Sequence, residues 1–68
     1  MPRITVNDEA KEISEGTTLA GLLEELQLGG RKGLAVAVNA TVIPAAQREA
    51  KALAEGDAVL IIQATQGG

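Results

Sequence analysis

Leu19, Leu22, Leu23 and Leu26 recur at the i, i+3, i+4, i+7 spacing that puts four side chains on one face of a helix. Thr18 stands just before them, where a hydroxyl can accept a bond from a free backbone N–H and start the helix. Gly29-Gly30 is the expected stop, because glycine tolerates the left-handed conformation that closes a helix. Glu24 and Glu25 fall on the solvated face. Gly21 inside the helix costs about 1 kcal/mol against alanine, which close backbone packing at that point would explain. This is the one clear helical stripe, and a single stripe has to be buried against something that is not another helix of the same kind.

The rest of the chain breaks into strand-length pieces. Arg3 to Asn7 alternates polar and apolar residues, the pattern of a half-buried strand. Asn7-Asp8-Glu9 is read as a turn and Lys11-Glu12-Ile13 as the returning strand of a hairpin. After the helix, Leu34 to Val38 alternates large and small apolar residues, with Leu34, Val36 and Val38 inward. Asn39-Ala40-Thr41 makes a turn, and Thr41-Val42-Ile43 is a short strand ended by Pro44, which cannot donate to a central ladder. Ala45 to Leu53 is an irregular or short helical connection, and Glu55-Gly56-Asp57 a tight turn. Ala58 to Ile62 is a continuous apolar run of strand length.

Two hairpin strands, one helix and three more strands imply an α+β fold, a mixed sheet of about five short strands packed on one main helix. A β-grasp arrangement satisfies that order, with the first and last strands parallel in the middle of the sheet. The domain is expected to cover residues 1–64, with 65–68 as a flexible tail. One helix covers only one face of a sheet, yet the last strand is apolar on both. Val59 and Ile61 are assigned to the core, Leu60 and Ile62 to the open face, where they form a candidate docking patch. The alternative is that these two pack under the connection from Ala45 to Leu53.

The inventory of reactive groups is short. The 68 residues contain no histidine, no cysteine and no aromatic residue. A Ser-His or Cys-His nucleophile system is therefore excluded, along with thiolate and imidazole metal sites. Stacking of single-stranded bases on aromatic rings is excluded too. The net charge is −3, and the three lysines and three arginines form no basic stripe, so binding to a phosphate backbone is not expected. Adjacent residues of a helix do not face each other, so Glu24 and Glu25 make no catalytic pair. Asp8-Glu9 belongs to turn chemistry. Gly29-Gly30 follows a helix instead of opening one and lacks the pattern of a phosphate loop. No apolar run approaches the roughly 20 residues of a membrane span, and the N-terminus has no apolar leader. The expectation is a cytoplasmic protein with no catalytic residue, no metal, no nucleic-acid partner and no membrane partner.

What remains is Thr65-Gln66-Gly67-Gly68 after the most apolar strand. Two terminal glycines arise by chance in about one chain in 200 at average usage, and in about one in 70 for a chain as rich in glycine as this one. Without Cβ atoms, Gly67 and Gly68 can adopt dihedrals closed to other residues and thread a narrow channel. The Gly68 carboxylate is unhindered but inert until a partner activates it. Such a chain supplies a handle and a recognition surface, and its partners supply the chemistry.

Taken in order, several short motifs resemble the ThiS family of ubiquitin-like sulfur carriers. They are Val6-Asn7-Asp8, Glu15-Gly16-Thr17-Thr18-Leu19 leading to Leu22-Leu23, Val36-Ala37-Val38-Asn39, Val42-Ile43-Pro44, Glu55-Gly56-Asp57, and Gln63-Ala64 before Gly67-Gly68. The resemblance implies a β-grasp fold and a carrier role in thiamin biosynthesis. It also implies three partners: a ThiF-like adenylyltransferase that uses ATP and magnesium on Gly68, a cysteine desulfurase or other sulfur donor, and a ThiG-like thiazole synthase that takes sulfur from the resulting thiocarboxylate. No cofactor is expected on the chain itself. Ala45 and Arg48 stand where many relatives carry arginine and tryptophan. Other readings within reach of the same tail are a carrier for molybdopterin, tRNA thiolation or cysteine synthesis, and a covalent modifier joined through Gly68 to lysines. A non-covalent module with an incidental diglycine would need none of this chemistry.

Overall fold

In a computed structural model, residues 1–29 and 33–63 are described. They form a five-stranded sheet with one helix across one face. The elements are β1 (Arg3–Val6), β2 (Glu9–Glu12), α1 (Leu19–Glu25), β3 (Leu34–Val38), β4 (Thr41–Val42), a 3₁₀ turn (Ala45–Gln47) and β5 (Ala58–Gln63). The sheet order is β2-β1-β5-β3-β4. β5 lies in the middle, parallel to β1 and antiparallel to β3. This is the mixed sheet on one helix that the sequence pattern implies, a ubiquitin-like β-grasp.

Both hairpins use two-residue turns. Asn7 and Asp8 have φ of 51° and 70°, and Asn39 and Ala40 have φ of 51° and 71°. Positive φ at both central residues matches the right-handed twist of the flanking strands, and asparagine adopts it at low cost. The chain therefore reverses sooner than expected. Val6 already pairs with Glu9, and β2 runs over Glu9–Glu12 instead of Lys11–Ile13. Ile13 lies beyond the strand, but its N–H still donates to Pro2 C=O at 3.0 Å and its side chain is buried. β4 is likewise one residue shorter than read, although Ile43 N–H donates to Val36 C=O at 2.9 Å.

Thr18 caps α1 as expected, its Oγ1 accepting from Gly21 N–H at 3.1 Å. The other end differs from the sequence reading. The helix stops at Glu25, and Gln27, not Gly29, takes the left-handed conformation with φ 63°. Gln27 N–H then donates to Glu24 C=O at 3.0 Å and Leu28 N–H to Leu23 C=O at 2.8 Å. These are the paired bonds of a Schellman closure, which satisfies the last carbonyls of the helix without glycine. Leu28 packs against the core and holds that turn in place; Gly30 lies outside the described residues. Gly21 is not a point of close packing. A Cβ there would sit 3.4 Å from Thr18 Oγ1 and 3.7 Å from Thr17 Cγ2, which is ordinary contact.

The core is wholly aliphatic: Ile4, Ile13, Leu19, Leu22, Leu23, Val36, Val38, Leu53 and Val59 are buried. Each such side chain contributes on the order of 1.5–3 kcal/mol by leaving water, so this small domain rests on a few fully buried residues. The connection from Ala45 to Leu53 lies along the start of α1. Lys51 C=O accepts from Leu19 N–H at 2.8 Å, Arg48 C=O accepts from Ala20 N–H at 3.0 Å, and Leu53 N–H donates to Thr17 C=O at 2.9 Å. The segment thereby satisfies helix-start N–H groups that Thr18 alone cannot reach.

Candidate functional site

Everything that leads toward the C-terminal glycines passes through β5, and β5 is held on both sides. On one side Val6 is in register with Val59. On the other the ladder with β3 runs from Val38↔Val59 to Leu34↔Gln63. Three polar side chains extend this hold past the ends of the neighbouring strands. Asn7 Oδ1 accepts from Ile61 N–H at 2.8 Å. Asn39 Oδ1 accepts from Ala58 N–H at 2.9 Å, and its Nδ2 donates to Asp57 Oδ1 at 3.0 Å. Asp57 Oδ2 accepts from Ala54 N–H at 2.9 Å, closing the turn around Gly56. Sequence reasoning placed Asn7 and Asn39 in turns and missed that both clasp β5. The available signal was the repeated Val-Asn at the end of two strands, each facing the same apolar run.

The two faces of β5 divide as the sequence implies. Val59 is buried and Ile61 packs against the core, whereas Leu60 and Ile62 are 49% and 56% exposed. Leu60 is in register with Ala37, Ala37 with Val42, and Ile62 with Ala35. Residues in register share a face, so these five form one apolar stripe across the open side of the sheet, with Val42 68% exposed. The alternative, that Leu60 and Ile62 lie under the connection from Ala45 to Leu53, fails because that connection is bonded to α1 on the opposite side. Beside Leu60 the stripe dips into a shallow hollow bordered by Thr5, Asn7, Asp8, Ala40 and Ala58.

A second concavity lies between α1 and the connection, against Gly21, Glu24, Ala45, Arg48 and Glu49. Arg48 Nη2 donates to Leu34 C=O at 2.8 Å, and its buried Nε makes no hydrogen bond among the described residues. Arg48 thus serves the edge of β3 where β4 has ended. Glu24 and Glu25 part company as expected: Glu25 meets Lys11 Nζ at 3.5 Å, while Glu24 lies beside Gly29. Among the described residues no group of three or more carboxylates could hold a metal ion, and no helix is long and apolar enough to cross a membrane. Thr65, Gln66, Gly67 and Gly68, the tail residues singled out from the sequence, lie outside the described residues, as does the expected boundary at 64.

The model of the ThiS family matches residues 3–68, nearly the whole chain. The chain belongs to the ThiS family. Among similar proteins, the sulfur carrier protein ThiS of Escherichia coli (strain K12) is 33% identical over 66 residues, covering 97% of this chain and 98% of the relative. A crystal structure described as the thiamine biosynthesis protein (ThiS) from Geobacter metallireducens superposes with a TM-score of 0.82 at 25% identity. That match covers 97% of this chain and 99% of the other. A solution structure of a thiamine biosynthesis protein from the same organism gives 0.79, covering 87% of its own chain.

Proposed function

We propose that this chain is a sulfur carrier protein of thiamin biosynthesis and that its reacting group is the carboxylate of Gly68. The observation that carries this reading is the family match, which runs to residue 68 and so includes Gly67-Gly68. The E. coli relative, matched over nearly its full length, supports the same role.

The chemistry follows from the carboxylate. An oxygen of Gly68 attacks the α-phosphorus of ATP on a ThiF-like adenylyltransferase and pyrophosphate leaves, with magnesium balancing the phosphate charge on the partner. The acyl adenylate is then attacked at carbon by a sulfur nucleophile, such as a persulfide formed by a cysteine desulfurase, and AMP leaves. Two equivalents of a thiol reductant cleave the acyl disulfide left by a persulfide, releasing the donor's cysteine thiol and becoming a disulfide themselves, or sulfide attacks directly; either route gives the thiocarboxylate. A ThiG-like synthase takes that sulfur into the thiazole ring. The chain is a co-substrate in each step, not an enzyme, and acts in the cytoplasm where ATP is available. Thr65 and Gln66 lead the glycines into the partner's channel. Leu60 and Ile62 dock the partner: large exposed aliphatics in one stripe favour burial against an apolar surface, and they sit on the strand that delivers the tail.

Intact-mass spectrometry of the chain incubated with adenylyltransferase, ATP and sulfur donor tests this. A species heavier by the difference between sulfur and oxygen, localised to the terminal peptide, is expected. It should be absent when Gly68 is deleted, while the truncated chain keeps its fold. A truncated chain that still gained sulfur would refute the assignment. Tail peptides branched onto lysines, with no thiocarboxylate, would make the chain a protein modifier instead.

A further inference from the structure

β5 outlasts its parallel neighbour. β1 stays with it only through Thr5↔Ala58 and Val6↔Val59, whereas β3 accompanies it to Gln63. Thr5 N–H donates to Asp57 C=O and Asn7 N–H to Val59 C=O, while Asn39 N–H donates to Ala58 C=O. Odd-numbered residues of β5 therefore turn their main-chain groups toward β1 and even-numbered ones toward β3. By that alternation Ile61 and Gln63 present N–H and C=O on the β1 side, where β1 has already turned away. At the first vacated position Asn7 substitutes its side chain. Its main chain leaves at φ 51°, and Oδ1 takes the Ile61 N–H that its own carbonyl would otherwise have met. Beyond it, Ile61 C=O and Gln63 N–H bond to no described residue. Among the described residues this is an open edge in the middle of a sheet, on the strand whose sequence continues to Gly68.

We propose that this edge is a strand-addition site. An extended segment of the protein that activates Gly68 lies along β5 in the line β1 vacates, accepting Gln63 N–H and donating to Ile61 C=O. The inference rests on the carrier reading above and specifies how the partner grips the chain. Gly68 is the fifth residue after Gln63, a reach of at most about 18 Å, so a partner that handles Gly68 necessarily brings its own chain close to this edge. A second copy of this chain is a poorer occupant. Its outer strands are β2, Glu9-Ala10-Lys11-Glu12, charged at three of four positions, and β4, two residues long and ending two positions before Pro44.

The test uses full-length semisynthetic chain carrying one N-methyl group on the Gln63 amide, with the ThiF-like adenylyltransferase as probe. Gln63 N–H faces away from β3, so the methyl group leaves the β3–β5 ladder intact and the circular-dichroism spectrum unchanged. Partner affinity is expected to fall about tenfold or more, from one lost bond and the clash of the methyl. In the unmodified chain, hydrogen exchange at Gln63 should slow when the partner is added. Equal affinity of methylated and unmodified chains, or no protection of Gln63 in the complex, overturns strand addition. Protection that appears with rising concentration of this chain alone also overturns it, by assigning the edge to self-pairing. If the unmodified chain is never adenylated, the carrier reading itself has failed, a separate outcome read from pyrophosphate release.

Discussion

Asn7 combines a left-handed backbone with a hydrogen bond to Ile61 N–H across 54 positions of sequence, and three substitutions separate the two contributions. Alanine at φ 51° meets the steric penalty of the left-handed region, about 1–2 kcal/mol, and loses a bond worth about 0.5–1.5 kcal/mol net. Asn7→Ala should therefore destabilise by about 2 kcal/mol. Asn7→Gly keeps the backbone conformation and loses only the bond, for about 1 kcal/mol with a small entropic addition. Asn7→Asp keeps both an acceptor oxygen and tolerance of positive φ, and should stay within about 0.5 kcal/mol of the parent. In a domain of this size 1 kcal/mol moves the melting temperature by about 4–8 °C, so the series is resolved by thermal and urea unfolding. The signal must be far-ultraviolet circular dichroism, since the chain has no aromatic residue to report tertiary packing. If alanine and glycine cost the same, strain at position 7 contributes nothing. If aspartate is as damaging as glycine, the bond to Ile61 is not what holds β5.

Leu60→Glu should lower stability by less than about 1 kcal/mol, because the side chain is already half exposed. It should weaken adenylyltransferase binding at least about tenfold in a titration; global unfolding instead would refute the facing of β5. Gly21→Ala should raise stability by about 0.5–1 kcal/mol in urea, because alanine is the better helix former and the added Cβ makes only ordinary contacts. A loss would mean that the groove beside Gly21 cannot accept even a methyl group. Thr18→Ala should cost about 0.5–2 kcal/mol through the bond to Gly21 N–H, and unchanged stability would show that the carbonyls of Arg48 and Lys51 satisfy the helix start unaided.

The parts of this fold legible in the sequence are those governed by local periodicity. The four-leucine stripe places α1, and the alternation along β3 and β5 assigns Val36, Val38, Val59 and Ile61 to one face and Leu60 and Ile62 to the other, because a strand cannot turn two neighbouring side chains the same way. The end of α1 was misplaced because the Schellman closure depends on Leu28 reaching the core, a tertiary contact that lets Gln27 take a conformation usually left to glycine. The early start of β2 has a similar cause. Asn7-Asp8 lacks the glycine that signals a two-residue hairpin turn, and the bond from Asn7 to β5 supplies what glycine would have given.

The clasps on β5 were the least legible feature, since Asn7 and Asn39 act on residues 54 and 19 positions away. They also connect fold to function. A carrier handled by its terminus transmits every pull on that terminus to the strand preceding it. Were β5 an edge strand, such a load would peel it from a single ladder. In the centre, the stretch past the Asn7 bond is paired with β3 alone, but a load that reaches Ala58 and Val59 has to break both ladders together with the burial of Val59. The aliphatic core is small, so that burial is a large fraction of what stabilises the domain. The same arrangement leaves Leu60 and Ile62 outside the core, where they can meet a partner without any residue beneath them having to move.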